Sequence, residues 1–333
     1  MSKIKLSVVC ITYNHEKFIR QALDGFVMQR TKFPFEVLVH DDASTDRTAD
    51  IVREYEQKYP DLFTVIYEKE NQWKKKDICR DIVFPKVRGE YVALCEGDDY
   101  WTDPLKLQKQ VDFLDAHPDY TICFHPVTVV WEEENFPNDI FPSQKLLKKI
   151  GRPDLSTLLE GNFIQTNSVV YRWRFHKEPL SLIPDDILPG DWFLHLLHAQ
   201  TGKIGMLPEA MSVYCRHAGG IWQGAGRTLE WFYLSGEKCL NCFKMIEKVF
   251  GISKARDIAF FSWGIFFAAV KMNDKVLQER LITEFPYLSF PSKCRVINCF
   301  RLFGLKTMSL FVGRNRREIL HGHYKALKRY LKW

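Results

Sequence analysis

The first 130 residues alternate between two hydrophobic periodicities, and this alternation restricts the fold more than any other feature of the chain. Continuous apolar runs rich in β-branched residues predict strands at residues 6–13, 35–40, 63–67, 91–96 and 120–131. Between them, apolar residues recur at helical spacing, which predicts helices at residues 15–29, 44–59, 78–85 and 105–117. Strands that alternate with helices in this way predict an α/β fold with a mostly parallel sheet flanked by helices.

Polar residues follow three of these strands. The first strand ends in Thr12-Tyr13-Asn14, the second in Asp41-Asp42 and the fourth in Glu96-Gly97-Asp98-Asp99. Ligands of open parallel sheets bind beyond the carboxyl ends of the strands, so we expect these residues at one rim. Carboxylates placed side by side repel each other unless a cation or a donor-rich ligand compensates.

Helix capping is the alternative explanation for acidic residues at strand ends. It suits Asp42 and Asp46, which lie at the start of the second predicted helix. It does not suit Asp98 and Asp99, because Asp103-Pro104 already supplies a helix start. Two spare carboxylates fit a hard divalent cation, Mn²⁺ or Mg²⁺, which completes its coordination with water and phosphate oxygens. The chain has no glycine-rich phosphate loop after a strand, so a diphosphate would be held by metal and side chains.

Composition and charge narrow the class of protein. With 46% hydrophobic residues in a chain of 333, a disordered, collagenous or low-complexity protein is excluded. Residues 286–333 carry a net charge of +10, so the rest of the chain carries −4. The acidic body argues against a nucleic-acid groove along the chain, and the basic tail suggests contact with an anionic surface.

Cysteine usage and hydropathy suggest a cytoplasmic protein. Cys10, Cys95 and Cys123 lie in predicted buried strands, and Cys239 and Cys242 form a lone C-x-x-C without a second pair. No signal-peptide pattern is visible, and the longest apolar stretch, residues 258–270, is shorter than a spanning helix needs. Aromatic and basic residues interleave in 297–311, which is typical of a peripheral contact with anionic lipid. The alternatives for this tail are a helical appendage packed on the preceding domain, or a homodimer contact.

Four segments together resemble glycosyltransferase family 2, a group of inverting sugar transferases with the GT-A fold. They are LSVVCITYNHEKFIRQAL, VLVHDDASTDRTADIV, GEYVALCEGDDYWTDPLKLQKQVDFL and GDWFLHLLHAQTGKIGMLPEAMSVYCRH. The resemblance covers residues 4–225 and is greatest to bacterial enzymes of capsule, O-antigen and exopolysaccharide synthesis. It implies a catalytic domain at 1–225, with a nucleotide-sugar half at about 1–100 and an acceptor half at about 101–225. A helical, basic amphipathic region follows at 226–333.

The resemblance also implies residues that bind the nucleotide-sugar donor. Thr12, Tyr13 and Asn14 would border the nucleobase, and Asp41 would bind its edge, unless Asp41 only closes a strand-end turn. Asp98 would face the ribose or the sugar.

Further residues would hold the metal and the diphosphate. The family often has Asp-x-Asp or Asp-Asp-Asp, whereas Gly97 precedes Asp98-Asp99 here, so the metal ligand falls to Asp99. His217 would add a metal or phosphate contact beside Arg216, and Trp222 would cover the donor after the Gly219-Gly220 hinge.

Asp191 is the candidate general base implied by the resemblance. An inverting displacement needs a carboxylate that takes the proton of the acceptor hydroxyl. Simple N-capping of the following helix is the alternative, and Asp185 and Asp186 are rival bases. His195 and His198 in that helix are interpreted as packing residues.

Four further residues are candidates for the acceptor side. Tyr100 and Trp101 would either stack on a sugar or anchor the next helix. Thr166 and Asn167 would bind sugar hydroxyls.

The resulting hypothesis is a metal-dependent inverting transferase that moves a sugar from a UDP-sugar to a saccharide or lipid-linked saccharide. A sugar nucleotidyltransferase is the enzymatic alternative, and a non-catalytic membrane-associated scaffold is the alternative from another class. We expect the protein at the inner face of the cytoplasmic membrane, in surface polysaccharide synthesis.

Overall fold

The computed structural model describes residues 3–73, 75–132, 138–220 and 228–289. Two compact units divide the chain. The first comprises residues 1–185 and 191–218, and the second comprises residues 186–190 and 219–333. The domain boundaries implied by the sequence, 1–225 and 226–333, stay a prediction.

The first unit contains all the strands of the described residues and six α-helices. The strands are β1 (Leu6–Thr12), β2 (Phe35–Asp41), β3 (Phe63–Tyr67), β4 (Tyr91–Leu94), β5 (Tyr100–Trp101), β6 (Tyr120–Phe124), β7 (Val127–Trp131), β8 (Asp139–Phe141), β9 (Val170–Arg172), β10 (Lys203–Met206) and β11 (Ser212–Arg216). The helices are α1 (Ile19–Val27), α2 (Thr48–Lys58), α3 (Lys106–Ala116), α4 (Gln144–Ile150), α5 (Leu155–Glu160) and α6 (Gly190–Ala199). Residues 78–83 form a π-helix.

A seven-stranded sheet with the order β10-β6-β9-β4-β1-β2-β3 forms the centre of this unit. Every neighbouring pair is parallel except the two pairs that involve β9. The carboxyl ends of β1, β2 and β4 therefore lie at the same edge. This confirms the predicted α/β class with a largely parallel sheet flanked by helices.

The predicted strand region 120–131 is two strands that belong to different sheets. β6 ends at Phe124, and β7 begins at Val127 in a four-stranded sheet with the order β5-β11-β7-β8. His125 and Pro126 separate the two strands, and the proline has no N–H to donate to a ladder. The break moves the chain from the central sheet to the smaller one.

Apolar packing holds α1 and α2 against the central sheet. Ile19, Ala22, Leu23 and Phe26 of α1 are buried at helical spacing, and β1 is buried along almost its whole length. At Gly25, a Cβ atom would lie 3.0 Å from the backbone nitrogen of Trp101, so the absent side chain permits close contact with β5. The predicted buried positions of Cys10, Cys95 and Cys123 in this core are confirmed.

Hydrogen bonds between two loops explain why α1 and α2 begin later than predicted. The N–H of Asn14 donates to Ser44 Oγ, and the N–H of Thr45 donates to Asn14 Oδ1. The N–H of Glu16 donates to Asp46 Oδ2. These residues connect the β1–α1 loop to the β2–α2 loop, so α1 begins at Ile19 and α2 at Thr48.

The second unit contains three described helices, α7 (Leu229–Phe250), α8 (Ala255–Lys271) and α9 (Lys275–Glu284). Two glycines permit close contact between α7 and α8. A Cβ atom at Gly264 would lie 2.4 Å from Phe232, and one at Gly236 would lie 2.6 Å from Ile265. The helical C-terminal region is confirmed as far as residue 289, whereas the basic segment 297–311 lies outside the described residues. Within residues 3–289, apart from the gaps given above, no helix has the length and apolarity to cross a bilayer.

Candidate active site

Two buried polar atoms lie at the carboxyl ends of β1 and β2. Thr12 and Asp41 are register partners on these strands, and both are buried. Asp41 Oδ2 accepts the N–H of Ser44 at 3.3 Å, so the strand-end turn is formed. Thr12 Oγ1 and Asp41 Oδ1 have no hydrogen-bond partner among the described residues. Buried polar atoms without partners are rare in folded proteins, so this pair indicates a binding site for a polar ligand.

The two residues after Thr12 differ in what they offer a ligand. Tyr13 is 42% exposed beside the rim, so its ring is accessible. Asn14 adopts a positive φ of 55°, and its side-chain oxygen is used by the loop contact to Thr45. The predicted nucleobase contact of Asn14 therefore has less support from this geometry than that of Tyr13.

The capping alternative predicted that Asp42 caps α2, but the side chain of Asp42 does not cap this helix. Its carboxylate accepts the backbone N–H groups of Gln72 and Trp73, at 2.7 and 3.2 Å. Asp42 thus connects the end of β2 to the loop that follows β3. Asp46 connects the β1–α1 loop to the start of α2, because its carboxylate accepts the backbone N–H groups of Glu16 and Thr48.

A carboxylate cluster follows β4. One ligand oxygen from each of Glu96, Asp98 and Asp99 lies within 4.8 Å of the others. Asp99 is buried, and its Oδ1 accepts the N–H of Cys215 at 2.9 Å. Asp99 Oδ2 has no hydrogen-bond partner among the described residues. Three oxygen ligands with one buried orphan atom fit a hard divalent cation.

The pKa values of the cluster show that its carboxylates repel one another. Although Glu96 is exposed as a residue, desolvation of its carboxyl group within the cluster, together with the charges of Asp98 and Asp191, raises its pKa to about 8. Burial and the charges of Asp98 and Glu96 likewise raise the pKa of Asp99 well above its usual value. A cation at this place would favour the ionised form of both carboxyl groups.

Two imidazoles lie beside Asp98. His217 Nε2 is 3.0 Å from Asp98 Oδ2, and His15 Nε2 is 3.9 Å from the same oxygen. Burial alone raises the pKa of Asp98, but the hydrogen bond from His217 and the charges of both histidines hold it below its usual value. His217, a predicted metal or phosphate contact, therefore contacts the acidic cluster through Asp98.

Gly97 permits the close contact between the cluster and β1. A Cβ atom at this position would lie 2.6 Å from Thr12 Oγ1 and 3.0 Å from His15 Nδ1. A side chain larger than hydrogen would therefore displace the rim. The fold thus explains sterically why a glycine stands here, where the Asp-Asp-Asp form of the motif has an aspartate.

Arg216 and Trp222 were the remaining residues predicted on the donor side. The Arg216 guanidinium lies over the rings of Trp131 and Tyr214, at 4.8 and 5.5 Å from their centroids. Its Nε atom is buried with no hydrogen-bond partner among the described residues. Trp222 lies outside the described residues.

Asp191 lies in the first turn of α6, and its two oxygens differ. Oδ2 accepts a hydrogen bond of 2.9 Å from Thr166 Oγ1 and a longer one of 3.4 Å from Asn162 Nδ2. No hydrogen bond within the described residues reaches Oδ1, and the side chain is partly exposed. The rival Asp185 forms an ion pair with Arg80, and Asp186 forms one with Lys238 in the second unit.

The predicted acceptor residues separate into accessible and buried ones. Trp101 is buried, its indole N–H donates to Asn167 O, and Lys106 at the start of α3 lies over its ring at 4.2 Å, so the ring is not accessible for stacking on a sugar. Tyr100 is half-buried. Asn167 is also buried, and its amide bonds to Val213 O and Ser212 Oγ, so the fold uses these groups and not an acceptor. Thr166 holds Asp191.

Two residues of the site were missed as individual candidates. Glu96 joins the cation cluster, and the E-x-D spacing with Asp98 was the signal that could have identified it. His15 approaches Asp98, but a histidine two residues past a strand end carries no signal by itself. The acidic cluster, the unpaired Thr12 and Asp41 atoms and Asp191 all belong to the first unit.

Fold and site together define a largely parallel-sheet α/β protein with an acidic cluster at its strand ends. The model of the family described as glycosyl transferase family 2 matches residues 7–214, and the chain belongs to this family. An uncharacterised protein of Mycobacterium tuberculosis is 51% identical over 222 residues, which are 66% of this chain and 61% of that protein. The chain thus spans about three fifths of the length of this relative.

Two solved structures share the fold. Residues 1–349 of Staphylococcus aureus TarS, in complex with UDP-GlcNAc, align with a TM-score of 0.52 and 19% identity over 96% of this chain and 86% of that one. The mannosyltransferase PcManGT of Pyrobaculum calidifontis, in complex with GDP-Man and Mn²⁺, aligns with a TM-score of 0.54 and 18% identity. That alignment covers 92% of this chain and 87% of the other. At this identity the likeness concerns the fold, and it confirms the GT-A-like class.

Proposed function

We propose that the protein is a metal-dependent inverting glycosyltransferase that moves a sugar from a nucleotide diphosphate, most simply UDP, to a saccharide or lipid-linked saccharide. The observation that carries the proposal is electrostatic. The charge of Asp191 contributes to the raised pKa of Glu96, so the candidate base and the cation cluster lie within interaction range. An inverting transfer needs a base and a stabilised leaving group in one cleft.

The donor end of the reaction is assigned to the strand-end residues. Thr12 Oγ1 and Asp41 Oδ1 are buried and have no hydrogen-bond partner in the described part of the chain, and they suit the donors and acceptors of a nucleobase edge. The exposed ring of Tyr13 suits stacking on the base. Asp98, held by His217, is assigned to the ribose or the sugar. Arg216, with its unpaired buried Nε, is assigned to the diphosphate together with His217.

The cation is assigned to Asp99, with Glu96 and Asp98 beside it. When bound, Mn²⁺ or Mg²⁺ neutralises the charge that develops on the leaving diphosphate. Asp99 Oδ2 is the orphan buried oxygen of the cluster, which supports the choice of this residue as the principal ligand.

Asp191 is assigned as the general base. Thr166 and Asn162 hold Oδ2, and this leaves Oδ1 to accept the proton of the acceptor hydroxyl. The acceptor oxygen then forms a bond with the anomeric carbon while the bond from that carbon to the diphosphate breaks. The displacement is single and has no covalent intermediate.

Thermal shifts with UDP, GDP, CDP and dTDP, each with and without Mn²⁺, test the donor assignment. A ligand that binds only the native state stabilises it by about 2.7 kcal/mol at one hundred times its Kd. We expect a UDP shift that needs the cation and that disappears in Asp99→Asn. A cation-dependent shift with another nucleotide would change the donor, and no shift with any nucleotide would favour the non-catalytic scaffold.

A sugar nucleotidyltransferase is the second enzymatic candidate, and product analysis separates the two. A transferase releases the nucleoside diphosphate from a nucleotide-sugar, whereas a nucleotidyltransferase consumes a nucleoside triphosphate and releases pyrophosphate. The residues that follow β1, from Tyr13 to Lys17, contain no glycine, which favours the transferase.

We further propose a place at the inner face of the cytoplasmic membrane for surface polysaccharide synthesis. The support is the charge of +10 on residues 286–333, which suits anionic headgroups. Co-sedimentation with vesicles that contain 30% phosphatidylglycerol tests this. Loss of the bound fraction at high salt is expected, whereas equal binding to neutral vesicles would contradict the proposal.

A further inference from the structure

A buried chain of three side chains ends at the candidate base. Tyr171, on β9, places its hydroxyl oxygen 2.5 Å from Nδ1 of His195. The opposite ring nitrogen of His195, Nε2, lies 3.8 Å from Oδ2 of Asp191, one helical turn earlier on α6. Tyr171 and His195 are both fully buried. His195 Nε2 has no hydrogen-bond partner among the described residues.

The protons of this chain follow from its chemistry. Burial lowers the pKa of His195 to about 4, although the charge of Asp191 and a contact with the backbone of Ile164 oppose this, so the ring is neutral near neutral pH. Burial, together with the charge of Asp191, raises the pKa of Tyr171 well above its usual value, so its hydroxyl keeps its proton. An Nε2 lone pair facing the carboxylate would be repelled by it. The assignment without repulsion has Tyr171 donating to Nδ1 and the proton of His195 on Nε2.

Within the described ranges, the three polar side-chain groups with a recorded contact to Asp191 approach the same oxygen. Thr166 Oγ1, Asn162 Nδ2 and His195 Nε2 converge on Oδ2, at 2.9, 3.4 and 3.8 Å. The distance from Nε2 exceeds that of a hydrogen bond. Catalytic hydrogen bonds are often long before substrate binds and shorten in the complex. Three groups directed at one oxygen fix the rotation of the carboxylate, and they leave Oδ1 without a hydrogen bond among the described residues.

We propose that His195 is a positioning residue for Asp191: Tyr171 holds its ring as the Nε2–H tautomer, and this N–H anchors Oδ2 while Oδ1 takes the acceptor proton. His195 does not receive that proton. The proposal rests on the proposed function, because it concerns the base of that reaction. The sequence predicts only a packing role for His195 in its helix, and the proposal adds a positioning role.

Two substitutions separate the nitrogens of His195. The amide of asparagine reaches the place of Nδ1 but not of Nε2, whereas the amide of glutamine reaches the place of Nε2. We expect His195→Asn to lower kcat by about tenfold with the donor KM unchanged, and His195→Gln to stay within about threefold of the wild type. Equal losses in both variants, or full activity in His195→Asn, would overturn the proposal.

His198 provides the matched control. It is fully buried on the same helix and stacks on Tyr171 at 4.3 Å, but its Nδ1 bonds to Leu194 O and not to Asp191. His198→Asn is expected to lower stability as His195→Asn does and to keep kcat. Tyr171→Phe is expected to lower kcat. The double variant with Tyr171→Phe and His195→Asn is expected to lose no more activity than His195→Asn alone, because both substitutions break the same chain of contacts. Additive losses would contradict the chain.

The ¹⁵N chemical shifts of the His195 imidazole test the proposal without a measurement of enzyme activity. If the wild-type chain transfers no sugar from any donor, the proposed function fails, but the placement of His195 remains measurable. We expect the Nε2–H tautomer for His195 and a shift of its Nε2 signal in Asp191→Asn, but not in Asp185→Asn. An Nδ1–H tautomer, or an Nε2 signal that does not respond to Asp191→Asn, would overturn the inference.

Discussion

The imidazole of His217 and the carboxylate of Asp98 form a hydrogen bond of 3.0 Å across 119 residues of sequence. The bond joins the residue after β11 to the residues after β4, so it connects the two sheets at the candidate active site. It is also a contact that partly compensates the repulsion among Glu96, Asp98 and Asp99.

His217→Ala is expected to destabilise the protein without metal by about 1–3 kcal/mol, because Asp98 loses its partner in a crowded acidic cluster. Mn²⁺ should restore part of this loss, since the cation compensates the same charges. Urea unfolding of the variant with and without Mn²⁺ measures both effects. A loss of equal size under the two conditions would show that the contact is unrelated to the cation cluster.

Gly97→Ala is expected to weaken nucleotide and cation binding, because the new Cβ would lie 2.6 Å from Thr12 Oγ1. Displacement of well-packed groups costs about 1–3 kcal/mol. Gly161→Ala is the matched control, since a Cβ there meets no atom within 4 Å. Isothermal titration with UDP and Mn²⁺ is the measurement. Unchanged binding in Gly97→Ala would refute the steric role of this glycine.

Cation affinity is expected to rise with pH up to about 8, where Glu96 loses its proton. The pKa of Glu96 is raised to about 8 by desolvation and by the charges of Asp98 and Asp191. Below that pH the cation must displace the proton, which costs at most a factor of about ten in affinity per pH unit for one group. Mn²⁺ titrations from pH 6 to pH 9 measure this, and Glu96→Gln should flatten the dependence. A steep dependence that persists in the variant would assign the proton to another group.

Asp191→Asn is expected to lower kcat by about 10²–10⁴-fold and to leave UDP binding intact, because it removes the proton acceptor but keeps the contact with Thr166. Asp185→Asn, which alters only an exposed carboxylate paired with Arg80, is the control and should keep its turnover. Initial rates at saturating donor separate the two variants. Near-normal turnover in Asp191→Asn would refute the assignment of the base.

Lys106→Met is expected to reduce the pH dependence of stability between pH 7.5 and pH 9.5. Burial lowers the pKa of Lys106 from 10.5 to about 7, while its Nζ bonds to Gln110 and lies 4.2 Å from the ring of Trp101. In this range the unfolded chain binds a proton that the folded chain does not, so the free energy of unfolding rises with pH by up to about 1.4 kcal/mol per unit. Urea unfolding of both proteins at the two pH values is the measurement. Parallel changes in wild type and variant would show that Lys106 is charged in the fold.

The strand-end residues show how far the sequence determined the site. Hydrophobic periodicity identifies β1, β2 and β4, and a parallel sheet necessarily places their carboxyl ends at one edge. Thr12, Asp41 and the Glu96–Asp99 cluster therefore follow from local patterns and one topological rule. The helices α7 and α8 also follow from a local pattern, because their apolar residues recur at helical spacing in the sequence.

The tertiary structure decided what each side chain contacts. Trp101 and Asn167 are buried and bonded within the fold, although the sequence suggested that they contact the acceptor. Asp42 holds the loop after β3, although the sequence suggested a helix cap. His217 meets Asp98, and Tyr171 meets His195, through folds of the chain that no local spacing encodes. Periodicity fixes the direction of a side chain relative to its own helix or strand. The partner that it meets depends on the packing of elements distant in sequence, and only the folded chain supplies that packing.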